Sequence, residues 1–109
     1  MNYSKNDVIL VSYPFSDLSV TKIRPAIIVN GKHPSQDYFI VPLSSRTKNL
    51  LPGEFILQDW QIAGLNVETS VKRGIFTIQE SLIIKKIGVL SQGDMETLET
   101  TIKQWLDFL

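Results

Sequence analysis

Residues 91–109 read SQGDMETLETTIKQWLDFL, and they differ in kind from everything before them. Met95, Leu98, Ile102, Trp105, Leu106 and Leu109 recur at three- and four-residue steps, which draws one apolar stripe along an α-helix. Ser91, followed three residues on by Asp94, makes a capping pair, and the early acids suit the positive end of a helix dipole. The preceding ninety residues carry no such period and speak in short strands. Candidates are Asp7 to Tyr13, Ala26 to Val29, Tyr38 to Leu43, Glu54 to Leu57, Val67 to Lys72, Ile75 to Ile78 and Ile84 to Val89. Turns fall at intervals of about 8–12 residues, as in small barrels and sandwiches. The class is therefore mainly β, or α+β, with one amphipathic C-terminal helix closing a side of a small barrel. Neither a repeat nor a linker interrupts residues 1–109, so a single domain is expected.

Composition narrows the functional classes. Apolar residues make up 43% and charged residues 20%, ordinary values for a globular chain. No apolar run approaches the roughly 18 residues of a membrane span, and MNYSKND lacks the apolar stretch of a secretory signal. With no cysteine there is no disulfide or thiolate metal site, which fits a reducing cytoplasm. One histidine, His33, cannot build a multi-histidine zinc centre on its own, and no motif asks for a metal or cofactor, so none is expected. Zero net charge hides an asymmetry: residues 1–90 hold ten Lys/Arg against seven Asp/Glu, while residues 91–109 hold one lysine against four acids. A mildly basic body permits a polyanion at a local site without coating the surface for one.

Two polar loops carry the chemistry-bearing residues. Ser16 to Ile23 (SDLSVTKI) runs into Arg24 and Pro25, and the proline biases Arg24 toward an extended backbone where loop meets strand. Two readings stand: an edge arginine paired with a carboxylate such as Asp17, or an anion site, since the guanidinium fork matches phosphate oxygens. Ser44 to Gly53 (SSRTKNLLPG) follows the apolar run YFIVPL. Ser44 and Ser45 are either turn formers or hydroxyls that face the same anion as Arg24, with Arg46 and Lys48 beside them. No phosphate loop, nucleophile elbow or dinucleotide fingerprint occurs, and His33 lies in a turn-prone loop.

Taken in order, DVILVSYPFSDLS, KIRPAIIV, FIVPLSS, LPGEFIL and FTIQESLIIKKIGVLS resemble the MazF/PemK family of toxin endoribonucleases, in its PemK-like branch. The resemblance implies an SH3-like β-barrel of the CcdB/MazF/PemK type that works as a homodimer. It also implies metal-independent cleavage of single-stranded RNA, leaving 2′,3′-cyclic phosphate and 5′-hydroxyl ends. A cognate antitoxin would block the site with an extended acidic segment. Carried over residue by residue, the catalytic arginine falls on Arg24, the catalytic hydroxyl on Ser44, and the loop over the RNA groove on Ser16–Ile23. Three departures from the family pattern are Val20, where a glycine is usual, Ser44, where a threonine is commoner and only the methyl is lost, and Lys72-Arg73-Gly74, where an Arg-x-Asp arrangement is common.

In such a reaction the neighbouring 2′-hydroxyl is the nucleophile, so the protein positions the phosphate, neutralises charge and moves protons. Arg24 serves charge neutralisation and Ser44 donates to a non-bridging oxygen, with Asp17 the candidate for proton acceptance or for orienting Arg24. Lys22, Ser45, Arg46, Lys48, Lys72 and Arg73 are candidates for a track along the RNA backbone. Phe15, with Tyr13, Trp60 and Phe76, could stack bases. Two rivals remain at this level: a gyrase poison of the CcdB type acting through its last helix, and an inert RNA- or antitoxin-binding module.

Overall fold

Two apolar faces on one sheet explain why the strands read as uninterrupted apolar runs. The computed structural model of the chain describes residues 3–13 and 22–108. Its strands are β1 (Asp7–Tyr13), β2 (Lys22–Ile28), β3 (Asp37–Ser44), β4 (Phe55–Ile56), β5 (Ser70–Val71), β6 (Phe76–Gln79) and β7 (Ile83–Val89). A 3-10 turn, Glu80–Leu82, precedes β7, and helix α1 spans Gln92–Leu106. The strand order is β4-β5-β3-β2-β1-β7, with β6 also paired to β3, and every pairing is antiparallel. Among the described residues no ladder joins β7 to β4 or β6, so the sheet is open and not a closed barrel. The mainly β fold with a terminal helix is thus as expected, without barrel closure.

Strand alternation sorts the core. Val8 and Ile27 are register partners and face a cluster with Val41, Leu43, Val71 and Leu98; Ile9 and Ala26, the next pair, face Val11, Ile28, Ile40 and Ile78. The first cluster is roofed by α1 through Met95, Leu98, Ile102 and Trp105. Leu106, expected on that stripe, is 47% exposed, and Leu109 lies outside the described residues. Ser91 caps the helix by accepting the Asp94 amide at 3.2 Å, as expected of the pair. The Asp94 carboxylate does something else. Only 2% exposed, it accepts the amides of Gln58 at 3.0 Å and Asp59 at 2.9 Å, tying the helix start to the loop after β4.

Several strand boundaries differ from the sequence reading. β2 begins at Lys22 and not at Ala26, because β1 offers a ladder as far as the Tyr13–Lys22 pair. Arg24 and Pro25 therefore lie inside a strand. β3 joins β2 only from Ala26 onward, so at Pro25 one flank of the strand has no ladder for the missing N–H to break. The expected strand Val67 to Lys72 shrinks to Ser70–Val71, and Glu54 to Leu57 to Phe55–Ile56, since these residues find partners only in each other and in the end of β3. Ile75 to Ile78 shifts to Phe76–Gln79 against β3.

Candidate active site

A groove of about 480 Å³ opens over the strand ends of β3, β2, β1 and β7. Leu10, Pro25 and Lys85 form one row across three adjacent strands and lie on its floor. Arg24, exposed and next along β2, lines it as well. From β3 come Ser44, the last residue of the strand, and Ser45. The opposite wall is the 64–69 segment, which contributes Asn66 and Thr69. Glycine makes that wall possible: a Cβ on Gly64 would strike the Ile87 carbonyl, and one on Gly88 the Ala63 carbonyl. The two backbones touch there, and the wall is docked directly on β7. Thr69 braces it further by donating its hydroxyl to the Val67 carbonyl at 2.8 Å.

The groove thus gathers Arg24, Ser44 and Ser45, and adds Lys85, Asn66 and Thr69, which sequence reasoning missed. A signal for Lys85 was present. In the strand IIKKIGV two consecutive lysines must face opposite sides, and only one of them can meet the buried Asp7, which Lys86 does at 3.3 Å. Ser44 is well set to donate: its Oγ accepts the Arg46 amide at 3.1 Å, which fixes the oxygen while its own hydrogen can point to a ligand.

Other expected site residues are placed elsewhere. Arg46 turns back on its own loop, Nε donating to the Lys48 carbonyl at 3.3 Å and Nη2 to the Asn49 carbonyl at 2.9 Å. Lys22 and Lys48 are exposed and do not line the groove. Lys72 is ion-paired with Glu54 at 2.8 Å. That ammonium, with the Leu51 amide, holds the Glu54 carboxyl below its usual range. The stem of Arg73 packs by Gly53 close to the Trp105 indole, on the helix side of the molecule. Trp60 is half-buried in the core beneath α1, and Phe76 is exposed on β6 opposite Ile40. His33 bonds Ser35 in an exposed turn at 2.9 Å. Phe15, Asp17 and Val20 lie outside the described residues, as do most of Ser16–Ile23 and the side chain of Tyr13. Among the described residues no three His, Cys, Asp or Glu side chains come together, and no helix is long and apolar enough to cross a membrane.

A groove with one arginine, one lysine and oriented hydroxyls, walled by a rigid loop, can hold an anion and stabilise charge that develops on it. Comparison with known proteins gives this chemistry a setting. The family described as PemK-like, MazF-like toxin of type II toxin-antitoxin system matches residues 4–106. No curated protein matches the chain. Among solved structures, an endoribonuclease in complex with its cognate antitoxin from a mycobacterial species superimposes with a TM-score of 0.75 at 15% identity, covering 99% of this chain and 98% of that one. The Mycobacterium tuberculosis toxin MazF-mt6 gives 0.71 at 18% identity, over 93% and 96%. A MazE-MazF crystal structure from Deinococcus radiodurans gives 0.77 at 13% identity, over 98% and 97%. At these identities the structural likeness is one of fold.

Proposed function

The chain belongs to the PemK-like, MazF-like toxins of type II toxin–antitoxin systems, and from that membership we propose that it is an endoribonuclease cleaving single-stranded RNA in the groove of Arg24 and Ser44. The observation that carries this reading is the convergence of the two residues, twenty positions apart in sequence, on one cavity. In the proposed reaction the 2′-oxygen attacks the adjacent phosphorus and gives up its proton. The P–O5′ bond breaks, and the departing 5′-oxygen takes up a proton. The product ends are a 2′,3′-cyclic phosphate and a 5′-hydroxyl. Arg24 neutralises charge on the equatorial oxygens of the pentacoordinate state, and Ser44 donates to one of them. Asp17 is the proposed proton acceptor or the group that orients Arg24. Because the 2′-hydroxyl is the nucleophile, no metal-generated hydroxide is required.

The same groove is the proposed seat of an antitoxin's extended acidic segment, which would compete with the phosphate backbone for Arg24 and Lys85. One of the structurally similar proteins is in complex with its cognate antitoxin and another is the MazE-MazF pair, which supports that partner for this chain. A homodimer in a cytoplasmic setting is the assembly proposed with it.

The test is cleavage of single-stranded RNA in excess EDTA with identification of the product ends. Wild-type protein is expected to yield cyclic-phosphate and 5′-hydroxyl termini. Arg24→Ala should slow cleavage by about a hundredfold or more, the worth of roughly 3 kcal/mol of transition-state stabilisation. Ser44→Ala should cost about tenfold. RNA left intact by the wild type, or cut equally fast by Arg24→Ala, would sink the mechanism.

A further inference from the structure

Ser70 is fully buried (0% exposed), is polar, and stands directly opposite Ser44 in the short ladder between β3 and β5. Its Oγ lies 2.6 Å from the Arg46 carbonyl oxygen and 3.3 Å from the Ser44 carbonyl oxygen. A hydroxyl has one hydrogen, so it donates to one carbonyl at a time, and the shorter contact marks Arg46 as the main acceptor. The Arg46 amide in turn donates to Ser44 Oγ at 3.1 Å. One chain of contacts therefore runs from the buried hydroxyl, through the backbone on either side of the Arg46 Cα, to the hydroxyl that lines the groove. We propose that Ser70 is a positioning residue: it fixes the turn after β3 so that Ser44 Oγ points at the scissile phosphate. This rests on the reading of Ser44 as a substrate contact.

The alternative for a buried serine is plain packing, and position argues against it. β5 is two residues long and pairs only with the end of β3 and with β4. Among the described residues, the other side-chain hydrogen bonds at the turn are internal to the loop, and the β3–β5 backbone ladder reaches only as far as Ser44. Arg46 supplies some of these through its guanidinium, but they tie the loop to itself and not to the sheet. Ser70 provides the side-chain link between that turn and β5.

A double-mutant cycle separates positioning from bulk stability. Single-turnover cleavage of a single-stranded RNA oligonucleotide is measured for wild type, Ser70→Ala, Ser44→Ala and the double variant, with thermal unfolding of each. Ser70→Ala should lower the saturating single-turnover rate about tenfold with the half-saturating protein concentration changed less than twofold, because a misaimed donor costs chemistry before binding. In the Ser44→Ala background the same change should matter less than twofold. Ser70→Cys, of similar volume but a weak donor, should follow Ser70→Ala. Equal losses in both backgrounds, or wild-type rates for Ser70→Cys, would overturn the positioning role. Wild-type rates for Ser44→Ala would instead overturn the reading of Ser44 itself, and with it this inference.

Discussion

Lys85 and Lys86 are neighbours in β7, and strand alternation sends them to opposite faces of the sheet. Lys86 meets the buried carboxylate of Asp7, whereas Lys85 lines the groove in register with Leu10 and Pro25. If the groove carries RNA, the two positions must respond differently to loss of charge. Lys85→Gln should weaken binding of an uncleavable single-stranded RNA about tenfold, the value of one charge-assisted contact. It should also lower the slope of log affinity against log salt by about 0.7, the release expected from one phosphate on a single strand. Lys86→Gln should leave that slope alone and lower the melting temperature, because Asp7 stays buried without its cation. Fluorescence titration at several salt concentrations decides between them; equal slopes for both variants would remove Lys85 from the phosphate track. Of the residues named from sequence, Arg24 and Ser44 were legible because each stands at a recognisable place, before an apolar run or at its end. Asn66 and Thr69 were not, because their segment has no pattern of its own and gains its place only by docking on β7.

At the scale of elements, the boundaries that sequence reading missed are those set by a partner strand. Nothing local to Lys22–Pro25 says strand; β1 says it, by extending a ladder to Tyr13. The converse holds for Val67 to Lys72, where strand-forming residues find only the last two residues of β3 and the short β4 to pair with. Helix α1 was legible from its period, yet the sequence disguised the work of Asp94. It reads as a capping acid and serves as a buried acceptor for two amides of the loop that leads to the groove wall. Asp94→Ala leaves both part-buried N–H groups without their acceptor. It should cost about 2–3 kcal/mol, seen as a lower urea midpoint with unchanged m-value. A loss below about 0.5 kcal/mol would mean that the loop finds other partners.

For the whole molecule, the loop after β3 is fixed from two directions. Ser70 holds its start from within the sheet, and its end is held against the helix side. There the Trp105 indole donates to the Gly53 carbonyl at 2.9 Å, Glu54 accepts the Leu51 amide at 2.8 Å, and Lys72 closes on Glu54. This far clasp is where Lys72 and Arg73, expected along the RNA track, are found. Glu54 makes the clasp sensitive to acid. Its carboxyl is held below the ordinary value of 4.5, chiefly by the Lys72 hydrogen bond and then by the Leu51 amide. A carboxyl with a lowered folded-state pKa adds stability that is complete above its unfolded value and fades as pH falls through the folded one. Glu54→Gln should therefore be less stable than wild type by about 1 kcal/mol at pH 7, a modest figure because Lys72 remains partly exposed. The difference should begin to shrink as pH falls below 4.5 and fade as pH drops through the lowered folded-state value, where the wild-type carboxyl takes up its proton. Urea unfolding of both proteins across that range is the measurement. A gap that stayed constant from pH 7 down to the acid limit of folding would show that the side chain acts through the Leu51 amide and packing alone, with no contribution from its charge.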